Sequence, residues 1–178
     1  MRPEILKPSS VRRDAPRASA ASGSIGATML TTEQREAVVT EALSWIGTKY
    51  VGWSCVKGAG VDCGQLLYGV YHNCELIPEL KLPTDYPLFI GLHRASTEYV
   101  DLVLKFFREI PESEVQPGDL VVWRLTGSKS YCHGAIIKSW PEYFIHAYGD
   151  CVKAGNARTR LRFLKSEKLF FTLKDGVK

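Results

Sequence analysis

Apolar positions divide the chain into a helical half and a strand half. After Thr31, which with Gln34 three residues on has the form of a capping box, Val38, Ala42, Trp45 and Ile46 recur at helical spacing until Gly47. This predicts a first helix. The loop GTKYVGWSCVKGAGV leads to Asp62, after which Leu66, Leu67, Val70 and Tyr71 share one face, predicting a second helix that ends near Asn73. Pro78, Pro83 and Pro87 break the next stretch into turns. Tyr99, Leu102, Val103, Phe106, Phe107 and Ile110 then fall at i, i+3, i+4, i+7, i+8 and i+11, which predicts a third helix running to Ile110. Beyond Pro111 the texture changes. Gln116-Pro117-Gly118-Asp119 is turn chemistry, and LVVWRL, YCHGAIIKS and EYFIHAYG are short apolar or alternating runs. Arg158, Arg160 and Arg162 alternate ahead of FLKSEKLFFTL. Helices first and strands second point to an α+β fold with N-terminal helices packed on a small antiparallel sheet.

Length and composition narrow this further. A chain of 178 residues has room for one domain and a tail, and 45% hydrophobic residues suffice for a core. Residues 1–28 are rich in Pro, Ser, Ala, Gly and Arg, so they are expected to form a flexible N-terminal arm, with the folded domain over residues 29–178. That N-terminus lacks the apolar run of a secretory signal, and no stretch is long enough for a membrane-spanning helix. Synthesis in the cytoplasm without a secretory signal is the expectation. A net charge of +4 is too small to imply nucleic-acid binding. The 5 cysteines lack CxxC pairs, which argues for reduced thiols over a disulfide framework or a zinc ribbon.

Among them Cys63 is distinctive, because Asp62-Cys63-Gly64-Gln65 puts it at the first helical position behind an N-cap aspartate, with a glutamine three residues after the cap. The helix dipole at that end favours thiolate and predicts a lowered pKa. Taken alone, a small buried cysteine is the commoner case, and a partner base has to tip the balance. His133 is the candidate base. It shares a strand face with Tyr131, Ala135 and Ile137, while His146 follows in the next strand. An even hairpin loop brings both imidazoles to one face and makes a Cys63–His133–His146 relay; an odd loop separates them. His72 and His93 read as structural. Zinc ligation by Cys63, Cys132, His133, His146 and Cys151 is disfavoured, since strand neighbours such as Cys132 and His133 point apart. No metal or cofactor is expected.

Five motifs in order resemble the NlpC/P60 cysteine peptidases of the papain-like superfamily. They are Gly47-Thr48-Lys49-Tyr50, Asp62-Cys63, Pro117-Gly118-Asp119-Leu120, His133-Gly134-Ala135-Ile136 and Ile145-His146-Ala147. The resemblance implies Cys63 as nucleophile, His133 as base, His146 as the orienting third residue, and Tyr50 beside the thiol. It also implies amide hydrolysis in peptidoglycan stem peptides, at the bond between D-glutamate and a diamino acid. The chain departs from the family at Gly64-Gln65, in place of Ser-Gly, and at Val51-Gly52-Trp53-Ser54, in place of a Gly-Gly loop. The segment 75–109 is longer than in compact members and reads as an accessory wall or docking surface. The missing signal and the arm resemble phage-tail and prophage members, so other tail proteins are expected partners and the virion tail, acting at the host wall, the expected location. Two alternatives remain: a structural tail component with weak or no activity, and a thiol acyltransferase of related fold. Arg158, Arg160 and Arg162 are candidates for holding substrate carboxylates, with a solvated strand face as the preferred reading. Trp53, Trp123 and Trp140 fit a groove or an interface, with a core role as the default.

Overall fold

The computed structural model describes residues 30–81, 84, 86 and 97–177. The predicted arm at residues 1–28 and the reading of His93 lie outside the described residues. Helix α1, Thr32–Ser44, begins at the capping box, with Thr31 accepting from the Gln34 amide and the Gln34 side chain accepting from the Thr31 amide. A hairpin of β1, Cys55–Val56, and β2, Gly60–Val61, precedes α2, Cys63–Asn73. Then come α3, Glu98–Phe106, and β3, Phe107–Ile110. The strands β4, Leu120–Arg124, β5, His133–Ser139, β6, Tyr143–Tyr148, and β7, Cys151–Gly155, follow. A short helix α4, Leu161–Lys165, leads into β8, Glu167–Leu173. Strands β3 to β8 form a 6-stranded antiparallel sheet in the order β3-β8-β4-β5-β6-β7, separate from the β1–β2 hairpin. No helix among the described residues is long and apolar enough to cross a membrane.

Strand alternation gives this sheet two apolar faces. Leu120, Val122, Ile136, Ile145 and Phe171 pack on one side with Val38 of α1, Leu66, Leu67 and Val70 of α2, and Val103 of α3. Val121, Trp123, Ala135, Ile137 and Phe144 pack on the other side with Phe163 of α4. The α+β reading therefore holds, with a sheet wider than the apolar runs indicated.

Three expectations are corrected. The third helix stops at Phe106, and Phe107–Ile110 is a strand paired to β8 from Phe107↔Leu173 to Ile110↔Phe170. Phe107 and Ile110 are buried in the strand, and their spacing fits burial on a helix face equally well, so it does not discriminate; the β8 edge, remote in sequence, supplies the ladder. Arg158, Arg160 and Arg162 do not share a strand face. Arg160 caps α4, Arg162 lies within it and donates to the Tyr148 hydroxyl, and Arg158 pairs with Glu142. Of the tryptophans, Trp123 is fully buried and Trp140 packs on Phe170, while Trp53 is exposed.

The Pro117-Gly118-Asp119-Leu120 motif joins the layers. Gly118 turns at φ 88°, its carbonyl accepts from the Tyr71 hydroxyl, and Arg35 of α1 reaches both the Pro117 carbonyl and the Asp119 carboxylate at 2.9 Å. Asp119 also accepts from Thr172 of β8 and from the Gln116 amide.

Candidate functional site

Cys63 is the first residue of α2, and its position is set by Asp62. One oxygen of that buried carboxylate accepts from the Gly64 and Gln65 amides at 3.0 and 2.9 Å, capping the helix. The other accepts from the Trp53 amide and the Tyr86 hydroxyl. The half-buried thiol contacts the Cys132 carbonyl at 3.7 Å and opens on a cavity of about 120 Å³. Leu67, Leu80, Leu102, Val103 and Phe106 give this cavity an apolar wall. Tyr50 and Tyr99 complete the surroundings of the sulfur. Tyr50 is held by its amide on the Asp150 carbonyl, and Tyr99 donates to the Cys63 carbonyl at 3.1 Å.

Electrostatics here run against the helix-terminus expectation. Burial first, then the negative charge of Asp62, push the Cys63 thiol up to about 12, while hydrogen bonds from Tyr99 and Tyr50 favour thiolate and offset only part of this. Desolvation among apolar side chains and a neighbouring carboxylate outweigh the partial charge of the helix end. At neutral pH the group is a thiol. Burial and the proximity of Cys63 and Asp62 raise both tyrosines, so each keeps its proton and acts as a donor.

The histidines do meet. The turn Trp140-Pro141-Glu142 has an odd number of residues, and the register shift between Ile137 and Ser139 restores the even case, with Ile136 opposite Ile145 and Ile137 opposite Phe144. Continued to the strand ends, this register sets His146 diagonal to His133. Their rings touch through Nε2 of His133 and Nδ1 of His146 at 2.9 Å. Both are buried in an aromatic cage, His133 lying 5.7 Å from the Trp123 ring, 5.8 Å from Phe163 and 5.3 Å from Tyr148. Burial foremost, with the charge of His146 and Arg162, holds His133 well below its ordinary value. Burial, with Lys153 and Arg160, lowers His146 to about 3.

The structure thus forms two groups from the sequence-predicted residues. Cys63 and Tyr50 lie together on the α2 face of the sheet, and His133 and His146 lie together on the α4 face. The β5 position that looks toward α2 is Gly134, where a Cβ would lie 2.6 Å from the Tyr99 hydroxyl and 2.8 Å from Leu67. Sequence reasoning missed Tyr99, Tyr86 and the second role of Asp62. In the sequence Tyr99 is one position of a helical stripe, Tyr86 sits in a proline-broken stretch with no periodic signal, and Asp62 carries only the signature of a cap. His72 stacks on Tyr68, in keeping with a structural role. Among the described residues no group of three or more His, Cys, Asp or Glu side chains is placed to hold a metal ion.

No sequence-family profile matches the chain, and no curated protein matches its sequence. Solved structures do. A Staphylococcus aureus subsp. aureus Mu50 protein described as similar to lipoprotein, of the NLP/P60 family, superposes with a TM-score of 0.57 at 22% identity, over 86% of this chain and 45% of that one. NlpC2 from Trichomonas vaginalis gives 0.52 at 16% identity, over 76% of this chain and 45% of that one. An NlpC/P60 family protein from Bacillus cereus ATCC 10987 gives 0.50 at 16% identity, over 76% and 39%. The chain spans less than half the length of each of these proteins.

Proposed function

The chain has the NlpC/P60 fold, and on that fold we propose that it is a cysteine peptidase hydrolysing amide bonds in peptidoglycan stem peptides, with Cys63 as the nucleophile. The observation that carries this reading is the setting of Cys63: first residue of a capped helix, on the wall of a cavity, with two phenol donors beside the sulfur. The sulfur attacks the carbonyl carbon, the amine leaves with a proton, and water cleaves the thioester. Tyr50 and Tyr99 are placed to donate to the thiolate or to the oxyanion.

His133 takes the thiol proton in this reading, and His146 orients it. For that, the imidazole has to reach the α2 face. A side chain entering that face at Gly134 meets the Tyr99 hydroxyl and Leu67, so in this reading His133 reaches the thiol only as those two side chains move aside. The finer parts of the proposal are the D-glutamate to diamino-acid bond, which rests on the ordered motifs from Gly47 to Ala147, and a place in a phage tail, which rests on the composition of residues 1–28. A second reading, a wall-binding or tail-structural domain that cuts nothing, is favoured by the separation of Cys63 from the histidine pair.

Digestion of purified peptidoglycan and defined stem peptides, with products identified by mass, separates the two. The peptidase reading expects peptide fragments from the wild type and none from Cys63→Ala or His133→Ala. Fragments from His133→Ala at the wild-type rate would remove His133 from the mechanism. A wild type that sediments with insoluble peptidoglycan but releases nothing establishes the second reading.

A further inference from the structure

Trp53 stands at φ 58°, in the left-handed region where a bulky side chain is strained and glycine is not. Its amide donates to Asp62 at 2.9 Å and its indole Nε1 donates to the Tyr86 carbonyl at 2.7 Å. Asp62 and Tyr86 both wall the Cys63 cavity, so the residue is tethered to its rim twice, by its backbone amide and by its indole Nε1. The residue is nonetheless 45% exposed, against 1% for Trp45 and 0% for Trp123. Core packing therefore does not account for a tryptophan here, and the backbone conformation disfavours one. Strained residues of this kind collect at binding and catalytic sites. An exposed indole already fixed in place also loses little rotamer freedom when a ligand covers it.

We propose that Trp53 is a substrate-positioning residue, its exposed ring face being the platform on which the peptide lies as its scissile carbonyl reaches Cys63. The proposal rests on the peptidase reading of that site. The chemistry of the platform and of the apolar cavity wall beside it fits a flat or aliphatic stretch of peptide, an amide plane or the methylene stem of a diamino acid.

The test uses the full chain and a defined stem peptide. Glycine adopts φ 58° freely, so Trp53→Gly keeps the loop while removing the ring; an unchanged alkylation rate at Cys63 and an unchanged Tm check this. The expected result is a KM raised about tenfold with kcat within about twofold, and near-parental values for Trp53→Phe, which retains the ring face but not the Nε1 tether. In a Cys63→Ala background, calorimetric titration of the same peptide should show about a tenfold weaker Kd for Trp53→Gly, the ring's contribution to binding. Parental KM and Kd for Trp53→Gly would overturn the platform, as would a Trp53→Phe variant as impaired as the glycine one, which would assign the effect to the tether. A parent that binds the peptide through Trp53 yet cleaves nothing retains the platform and removes the peptidase reading. A parent that neither binds nor cleaves removes both.

Discussion

Both oxygens of the buried Asp62 carboxylate are committed, one to the amides that open α2 and the other to Trp53 and Tyr86. One residue thus fixes the nucleophile's helix, the rim tryptophan and a wall of the cavity. The same charge stands next in importance to burial in raising the Cys63 thiol to about 12. Asp62→Asn keeps an acceptor oxygen for the helix cap and removes the charge, so the thiol pKa falls. Alkylation of Cys63 at pH 8 to 9 should then run about tenfold faster, the change that one pKa unit makes in thiolate population. An unchanged rate would show that burial alone sets the thiol. Asp62 was legible in the sequence as a cap because capping is local; its second oxygen was not, since Tyr86 lies in a proline-broken stretch and reaches Asp62 only through the fold.

At the scale of elements, the β5–β6 pairing decides what the histidines can do. Their contact was conditional on an even register, and the irregularity near Lys138, which no residue pattern announced, supplied it. The pair is buried neutral, with both pKa values below the ordinary histidine value of 6.5. The unfolded chain therefore binds more protons than the native one below about pH 6.5, and stability falls as pH drops through that value and on towards 3. The slope reaches about 1.4 kcal/mol per pH unit for each histidine that titrates only on unfolding. Urea denaturation between pH 7 and 5 should show this loss, and replacing both histidines by glutamine should flatten it. A wild type equally stable at pH 7 and 5 would contradict the buried neutral pair. The third helix carries a related lesson. The spacing from Tyr99 to Phe106 is that of the helix observed, but Phe107 and Ile110 fit a helix or a strand equally, and pairing with β8 makes the choice.

At the scale of the whole molecule, a buried ion pair, Arg35 with Asp119, of which 6% and 0% of the surface is exposed, fastens the helical layer to the sheet. Removing one partner of such a pair leaves an uncompensated buried charge, so Arg35→Ala should cost about 3 to 5 kcal/mol in urea denaturation. A loss below about 1 kcal/mol would show that apolar packing alone holds the layers. The glycine and aspartate of the Pro-Gly-Asp-Leu motif serve this joint, the one by a positive φ, the other by accepting from α1 and β8. By itself the sequence determined the starts of α1 and α2, the strands β4, β5, β6 and β8, the α+β class and the ordered motifs, because capping, period and turn chemistry act over a few residues. Only the tertiary structure decided which face of the sheet each strand residue occupies relative to α2, and with it the division of Cys63 and Tyr50 from His133 and His146. Strand alternation specifies two faces, and it is packing between distant elements that assigns each face its neighbours.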